Sequence, residues 1–289
     1  MKLPPPSSTG AVAPASAADP ADADLERRFG GLRRLLGDAG YRRVRAARVA
    51  VVGLGGVGSW AAEALARSGV AALVLIDLDH VSESNVNRQV QALGSTLGLA
   101  KADALARRLR DIHPGCAIDA IDDFVDAANW PALLPRAVNA VIDACDQVRA
   151  KEAIAAWSLG GGAPVVVVGA AGGKALPQAV EAGDLLDATH DPLLASLRQR
   201  LRRSGALPRD ARRSVRAVFS REPVRRPLDG EAACAADGTL NCHGYGSIVT
   251  VTATFGMVAA GEALRLVQQG PAAPDGTALS STITSFAGC

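Results

Sequence analysis

Apolar residues in this chain fall into short unbroken runs separated by stretches of helical periodicity. Arg48-Val-Ala-Val-Val52, Ala72-Leu-Val-Leu-Ile76, Asn139-Ala-Val-Ile-Asp143 and Pro164-Val-Val-Val-Val-Gly169 carry no polar alternation. They are too short for helices, so they read as strands buried on both faces. Between them, Ser59 to Ser68, Ala100 to Ile112 (Ala104, Leu105 and Leu109 inward) and Arg149 to Leu159 repeat their apolar positions at helical spacing. Ala117 to Ile121 predicts a further strand and Asp126 to Leu134 a short helix, while Leu25 to Val44 predicts one or two short basic helices. Strands alternating with such helices imply a parallel sheet with crossover connections. After Ala170 the rhythm changes. A turn at Gly172-Gly173, a strand over Gln178 to Asp184, a helix over Asp191 to Arg203, a short strand near Val215 to Phe219 and a helix over Ile248 to Gln268 are predicted. The expected fold is α/β: a Rossmann-like, mainly parallel sheet flanked by helices, with a smaller C-terminal extension of the same domain. The expected boundaries are a Pro/Ala/Ser-rich disordered leader over 1–24, one domain over 25–269 with an arginine-rich substrate-facing extension at about 170–247, and a disordered tail over 270–289.

Composition narrows the class. The chain has 289 residues, 48% of them hydrophobic, enough for a large core, and a formal charge of +2. Its five cysteines (Cys116, Cys145, Cys234, Cys242 and Cys289) form no Cys-x-x-Cys pair, which argues against a structural zinc and against a secreted disulfide framework. The leader lacks the basic-then-apolar signature of a signal peptide, and no apolar run reaches the ~18–20 residues of a membrane span. A cytoplasmic protein is expected. Only four of the 31 basic residues are lysines (Lys2, Lys101, Lys151 and Lys174), so arginine content says little and a placed lysine says more.

The chemistry starts at Gly53-Leu-Gly-Gly-Val-Gly58, which turns the chain from the first strand into a helix. Gly53 allows the tight turn, Gly55 and Gly56 let backbone approach a phosphate, and Gly58 lets helix and strand pack closely. The helix N-terminus offers free N–H groups to that phosphate. The second strand ends on Asp77, where such folds hold a ribose hydroxyl. These features define a nucleotide site and admit either a dinucleotide or ATP. The polar loop Asn85-Val-Asn87-Arg88-Gln89 follows the second strand at the sheet's carboxyl edge. An arginine there can grip phosphate oxygens through two N–H groups, and amides can orient a carbonyl or ribose. Lys101 opens the next helix within reach of the same phosphates. Asp143 and Asp146 flank the end of the fourth strand, and a carboxylate beside a triphosphate is normally a magnesium ligand.

Together, Gly53-x-Gly-Gly-x-Gly58, Asp77-x-Asp79, Asn85-x-Asn-Arg-Gln89, Lys101 and Asp143-x-x-Asp146 resemble the ATP site of the ubiquitin-activating-like adenylyltransferases, which join AMP to a carboxylate and expel pyrophosphate. The resemblance implies that Asp77, with Asp79, holds the ribose, that Arg88 and Lys101 hold phosphates, and that Asn85, Asn87 and Gln89 line the site. Asp143 would join the nucleotide contacts and Asp146 would bind Mg2+. Arg28-Phe-Gly-Gly31, Gly58 to Arg67, Gly98-Leu-Ala-Lys101, Asp122-Asp-Phe-Val125, Gly169-Ala-Ala-Gly-Gly173, Asp191-Pro192 and Thr250 to Gly256 narrow it further. Over about Arg28 to Leu266 they are similar to the tRNA threonylcarbamoyladenosine dehydratase family, which uses ATP to activate the carboxylate of a threonylcarbamoyl group on a tRNA adenosine next to the anticodon. The side chain then closes into a ring with net loss of water. The physical logic fits, because an adenylated carboxylate has a good leaving group and proximity within one side chain replaces a protein nucleophile.

The same resemblance implies a homodimer, and it leaves room for a monovalent cation and for a cysteine-desulfurase sulfur-acceptor partner. Many such enzymes carry Arg-Tyr-x-Arg near the N-terminus, with an arginine crossing to the partner's ATP; here Arg28-Phe29-Gly30-Gly31 stands there, with glycine in the last place where that motif has its second arginine. Eleven arginines lie between Arg198 and Arg226, against only Asp210 and Glu222. Arg209, Arg212, Arg213 and Arg216 make this the candidate tRNA surface, since a basic stripe holds phosphates without reading sequence. Cys242, beside His243 in a glycine-rich loop, is a candidate thiol. Three rivals remain at this point. One is an adenylyltransferase acting on a sulfur-carrier or ubiquitin-like protein, which the missing Cys-x-x-Cys pairs disfavour. An NAD-dependent oxidoreductase would leave Arg88 and Asp146 without purpose, and a silent binding module would not need both.

Overall fold

In the computed structural model, residues 24–211, 214–225 and 245–270 are described. Five consecutive strands of a seven-stranded sheet run parallel from one edge: β3 (Ala117–Ile121), β2 (Ala72–Ile76), β1 (Arg48–Val52), β4 (Ala140–Asp143) and β5 (Val165–Val168). Next comes β7 (Arg216–Ser220), parallel to β5, and the edge is closed by β6 (Val180–Asp184), antiparallel to β7. The expected α/β, Rossmann-like sheet is therefore present, and the C-terminal part extends it rather than folding apart.

The pleat sorts the apolar runs between two cores. Val49, Val51, Leu73 and Leu75 face one core, while Ala50, Val52, Val74 and Ile76 face the other. Covered on both sides, these strands need apolar residues at every position. The first core packs α3 (Gly58–Arg67), α4 (Lys101–Ile112) and α7 (Val249–Gln269) onto the sheet; the second packs α5 (Val148–Leu159) and α6 (Pro192–Arg203). Edge strands β3 and β6 contain no fully buried position, which matches their mixed composition. Helix α7 crosses α3 at Gly256, where an added Cβ would lie 2.5 Å from the Val57 carbonyl oxygen and 2.9 Å from the Trp60 Cβ. Only glycine fits there, and this contact seats the N-terminus of α7 beside the glycine loop. Among the described residues no helix is long and apolar enough to cross a membrane.

One predicted element differs. Residues Asp126 to Leu134 form a series of turns, not a helix. The Asp126 carboxylate accepts from the Ala128 and Asn129 backbone N–H groups, and Pro131 has no N–H to give. Trp130 still packs inward, edge-on to Trp157 with centroids 5.4 Å apart.

Helices α1 (Leu25–Phe29) and α2 (Gly31–Ala46) close the base of the sheet. Arg28 donates to the Ile112 carbonyl (2.7 Å) and so caps the C-terminus of α4 within its own chain. Buried His113 meets the Phe29 ring edge-on at 4.6 Å. Burial, with Arg45 and Arg28 adding repulsion, holds its imidazole down at about 4, against an ordinary 6.5. Between those values the unfolded chain binds a proton at His113 and the native chain does not. Stability is therefore full above the ordinary value and falls as pH drops through this window, by roughly 3 kcal/mol in all. Urea unfolding between pH 4 and 7 should show that slope, and His113→Gln should flatten it; an unchanged slope in the variant contradicts the assignment.

Candidate functional site

The chain runs outward from β1 to β3 and then returns to β4 on the other side of β1, leaving a crevice at the carboxyl ends where the order reverses. A cavity of about 450 Å³ fills it, within the usual range for small-ligand sites of roughly 300–1,000 Å³. Its wall includes Gly53, Gly55, Gly56, Asp77, Asp79, Asn85, Arg88, Gln89, Lys101 and Asp146, together with Phe124, Gln147, Thr252 and the backbone of Gly169 to Gly172. Elements far apart in sequence thus converge at one place.

The glycine loop is shaped for close approach. Gly53 has φ +82°, and a Cβ there would lie 2.7 Å from the Cys145 amide nitrogen. A Cβ on Gly55 would point into open space, so that backbone is reachable from the cavity. Gly58 lies behind the wall, against the Gly53 carbonyl, where any side chain would overlap it. No side chain caps the N-terminus of α3; the Ser59 N–H turns back to the Gly55 carbonyl (3.2 Å), while the Gly58 and Trp60 N–H groups have no backbone acceptor among the described residues and can meet an anion.

Asp77 braces this loop. Its carboxylate accepts from the Leu54 backbone N–H (2.5 Å) and from the Asp79 N–H (2.8 Å). Burial pushes its carboxyl up, while the Lys101 ammonium at 4.0 Å pulls it back. Lys101 is itself buried and donates to Asp79 at 2.6 Å, so it spans the two acids rather than lying free in the cavity. Against Gly56 of the glycine loop, Arg88 donates to the Ser84 carbonyl (2.8 Å) and the Asn87 side-chain oxygen (2.9 Å), and among the described residues it pairs with no carboxylate. Trp60 anchors the Arg88 carbonyl through its indole N–H (2.9 Å). Asn85 caps its own turn by accepting from Ser82 N–H. Asn87 is not part of the wall. Its amide donates to the Ser247 carbonyl (3.0 Å), tying the loop to the start of α7.

The two aspartates at the end of β4 part company. Asp146 is exposed at the cavity, and its side chain makes no hydrogen bond among the described residues. Asp143, expected among the nucleotide contacts, is instead fully buried outside the wall, as the last strand residue facing the second core. Lys151, one helix turn into α5, donates to its carboxylate (3.1 Å) and to its carbonyl (3.0 Å). The Cys145 thiol also donates to the Asp143 carboxylate (2.9 Å). Burial and that neighbouring charge push the thiol well up, so it stays protonated.

The cavity floor near β5 is fastened by another buried lysine. Lys174 donates to the carbonyls of His190 (3.2 Å), Ser220 (3.3 Å) and Glu222 (2.7 Å). Buried Asp191 caps α6 at Leu194 N–H (3.0 Å) and also accepts from the Ala170 N–H of the wall (2.9 Å). The sequence assigns no site role to Lys151, Lys174 or Gln91. The scarcity of lysine in an arginine-dominated chain is the signal for the first two, and Lys101, Lys151 and Lys174 are all buried.

For a metal, the described residues contain no group of three His, Cys, Asp or Glu side chains. A lone carboxylate such as Asp146 fits magnesium, which takes one or two carboxylates and completes its shell with substrate phosphates and water. Of the candidate tRNA contacts, Arg209 is exposed, whereas Arg216 is half-buried in an ion pair with Glu262 at 2.8 Å and so is engaged within the fold. Arg212, Arg213 and Cys242 lie outside the described residues, as do the leader up to 23 and the tail from 271.

The ThiF family matches residues 28–288. The tRNA threonylcarbamoyladenosine dehydratase of Escherichia coli (strain K12) is 41% identical over 248 residues, covering 83% of this chain and 92% of the relative. That of Haemophilus influenzae is 39% identical over 239 residues, covering 82% and 91%. The solved structure of the E. coli enzyme in complex with ATP superposes with a TM-score of 0.75 at 39% identity, covering 86% of this chain and 99% of that one. The E. coli molybdopterin-synthase adenylyltransferase shares 34% identity over 127 residues, only 44% of this chain. The chain belongs to the ThiF family, alongside its tRNA threonylcarbamoyladenosine dehydratases.

Proposed function

We infer that the protein catalyses the ATP-dependent cyclising dehydration of threonylcarbamoyladenosine in tRNA, next to the anticodon. The observation that carries this is similarity to the dehydratases across nearly the whole of both chains, joined to a nucleotide-sized cavity at the sheet's switch point. A carboxylate oxygen of the substrate attacks the α-phosphorus of ATP and pyrophosphate leaves. A nitrogen or oxygen of the same side chain then attacks the acyl carbon, AMP leaves with its oxygen, and a proton is lost to solvent.

In this reading the Gly55 and Gly56 backbone and the open N-terminus of α3 cradle phosphate, and Arg88 neutralises charge as pyrophosphate departs. Asp77, with Asp79 and Lys101, holds the ribose end. Asp146 would hold Mg2+, whose chemistry when bound is to draw negative charge from the phosphates. The protonated Cys145 is no nucleophile, which suits a ring closure that needs none. Arg202, Arg203 and Arg209 are exposed without carboxylate partners among the described residues and offer tRNA phosphates a surface at the end of α6. A homodimer working on cytoplasmic tRNA completes the reading.

The second reading, adenylation of a sulfur-carrier protein, draws on the partial similarity to the molybdopterin-synthase enzyme. One incubation separates them. Purified protein with ATP, magnesium and tRNA carrying threonylcarbamoyladenosine should yield a nucleoside lighter by one water, only when ATP is present. No change in the nucleoside, with pyrophosphate exchange appearing only on adding a small carrier protein, overturns it in favour of the second reading.

A further inference from the structure

We propose that Gln91, which has no contact with the cavity, fixes which end of the Gln89 amide faces the bound nucleotide, so that Gln89 offers a hydrogen-bond donor to a phosphate oxygen. The proposal rests on reading the cavity as an ATP site.

Gln91 is 1% exposed. Its amide nitrogen donates to the Leu54 carbonyl inside the glycine loop (2.9 Å) and to the Gln89 side-chain oxygen (3.2 Å). A backbone carbonyl can only accept, so the end of Gln91 that meets Leu54 must be the NH2. Turned round, Gln91 would set its oxygen against that carbonyl and leave a buried acceptor pair unsatisfied. The present orientation already leaves the Gln91 oxygen buried without a partner among the described residues, so it is the two donated bonds that hold it.

This polarity passes on to Gln89. With its oxygen taken by Gln91, Gln89 must present its own NH2 on the other side. Gln89 lines the cavity, is 5% exposed, and its NH2 has no acceptor among the described residues. Two N–H donors in the cavity wall that also holds Arg88 and Gly56 suit an anionic oxygen of the phosphate chain. A reversed amide would instead set a carbonyl against that oxygen. Gln91 is thus a positioning residue that acts through Gln89, and the glycine loop that receives the phosphate also sets the donor beside it.

The test is a double-mutant cycle read by calorimetry with magnesium–ATP and, separately, with adenosine. Gln89→Met and Gln91→Met should each weaken ATP binding about tenfold, as for a hydrogen bond to a charged group. The double variant should bind no more weakly than Gln89→Met alone, and all three should bind adenosine as the unmodified protein does. A double variant whose loss is the product of the two single losses overturns the proposal, and so does an equal loss for adenosine. Should Gln91→Met fold poorly, the unmodified protein decides by nuclear magnetic resonance. The Gln89 side-chain protons, assigned by their absence in Gln89→Met, should shift with ATP and not with adenosine, and an equal response to both overturns the role. Failure of the unmodified protein to bind ATP at all would instead overturn the nucleotide reading itself.

Discussion

Replacing Asp146 with alanine is expected to lower turnover by about 10²–10³-fold, the scale of removing one electrostatic stabiliser of a transition state, while leaving the thermal midpoint where it was. The separation of the two effects follows from its placement. The side chain is exposed, makes no hydrogen bond among the described residues and packs against no core, so the fold loses nothing with it. The reaction loses the carboxylate that would hold a magnesium ion against phosphates as pyrophosphate departs. Steady-state kinetics of the variant beside a melting curve measure both. Near-normal turnover with intact folding would remove Asp146 from the site, and a lower melting point would give it a structural role.

Lys151→Met should do the opposite and strike stability first. Lys151 and Asp143 are both fully buried, 3.1 Å apart, and the same ammonium also satisfies the Asp143 carbonyl. Removing the cation leaves a carboxylate in the core with no counter-charge, which typically costs about 3–5 kcal/mol. That is a large share of a typical native stability of about 5–15 kcal/mol. Replacing both partners with apolar residues should recover much of the loss, because the buried charge goes with its partner. The pair also ties α5 to the end of β4, and the segment between them carries Cys145 and Asp146 to the cavity. The single variant should therefore lose turnover even at temperatures where it remains folded. Urea denaturation of the single and double variants is the measurement; a single variant within about 1 kcal/mol of the unmodified protein would contradict a pairing of this weight.

These two aspartates also mark where sequence reading ends. Their spacing at a strand end was plain, and so was the chemistry of a carboxylate near phosphate. Which of them faces the cavity was not, because that depends on the pleat of β4 and on Lys151 arriving from α5. The strands, the glycine turn, Asp77 and the Asn85 to Gln89 loop were legible because each follows from a local rule: apolar run length, left-handed backbone at Gly53, position at a carboxyl edge. Long-range partners were not. Arg216 sat among the candidate tRNA contacts until the fold brought Glu262 to it across 46 positions. Lys174 sits where three backbone carbonyls from separate segments meet, and no motif announces such a place. The helix expected over Asp126 to Leu134 gives way to turns because the Asp126 carboxylate and Pro131 supply competing local geometry.

The central claim is that this cavity brings a substrate carboxylate to the α-phosphorus of ATP. Oxygen-18 in the threonylcarbamoyl carboxylate of the tRNA tests it most directly, because adenylation followed by ring closure must move one labelled oxygen from substrate to nucleotide. The account predicts AMP carrying one oxygen-18 for each ring closed, with unlabelled pyrophosphate. Labelled inorganic phosphate formed together with ADP would show attack at the γ-phosphorus and contradict it.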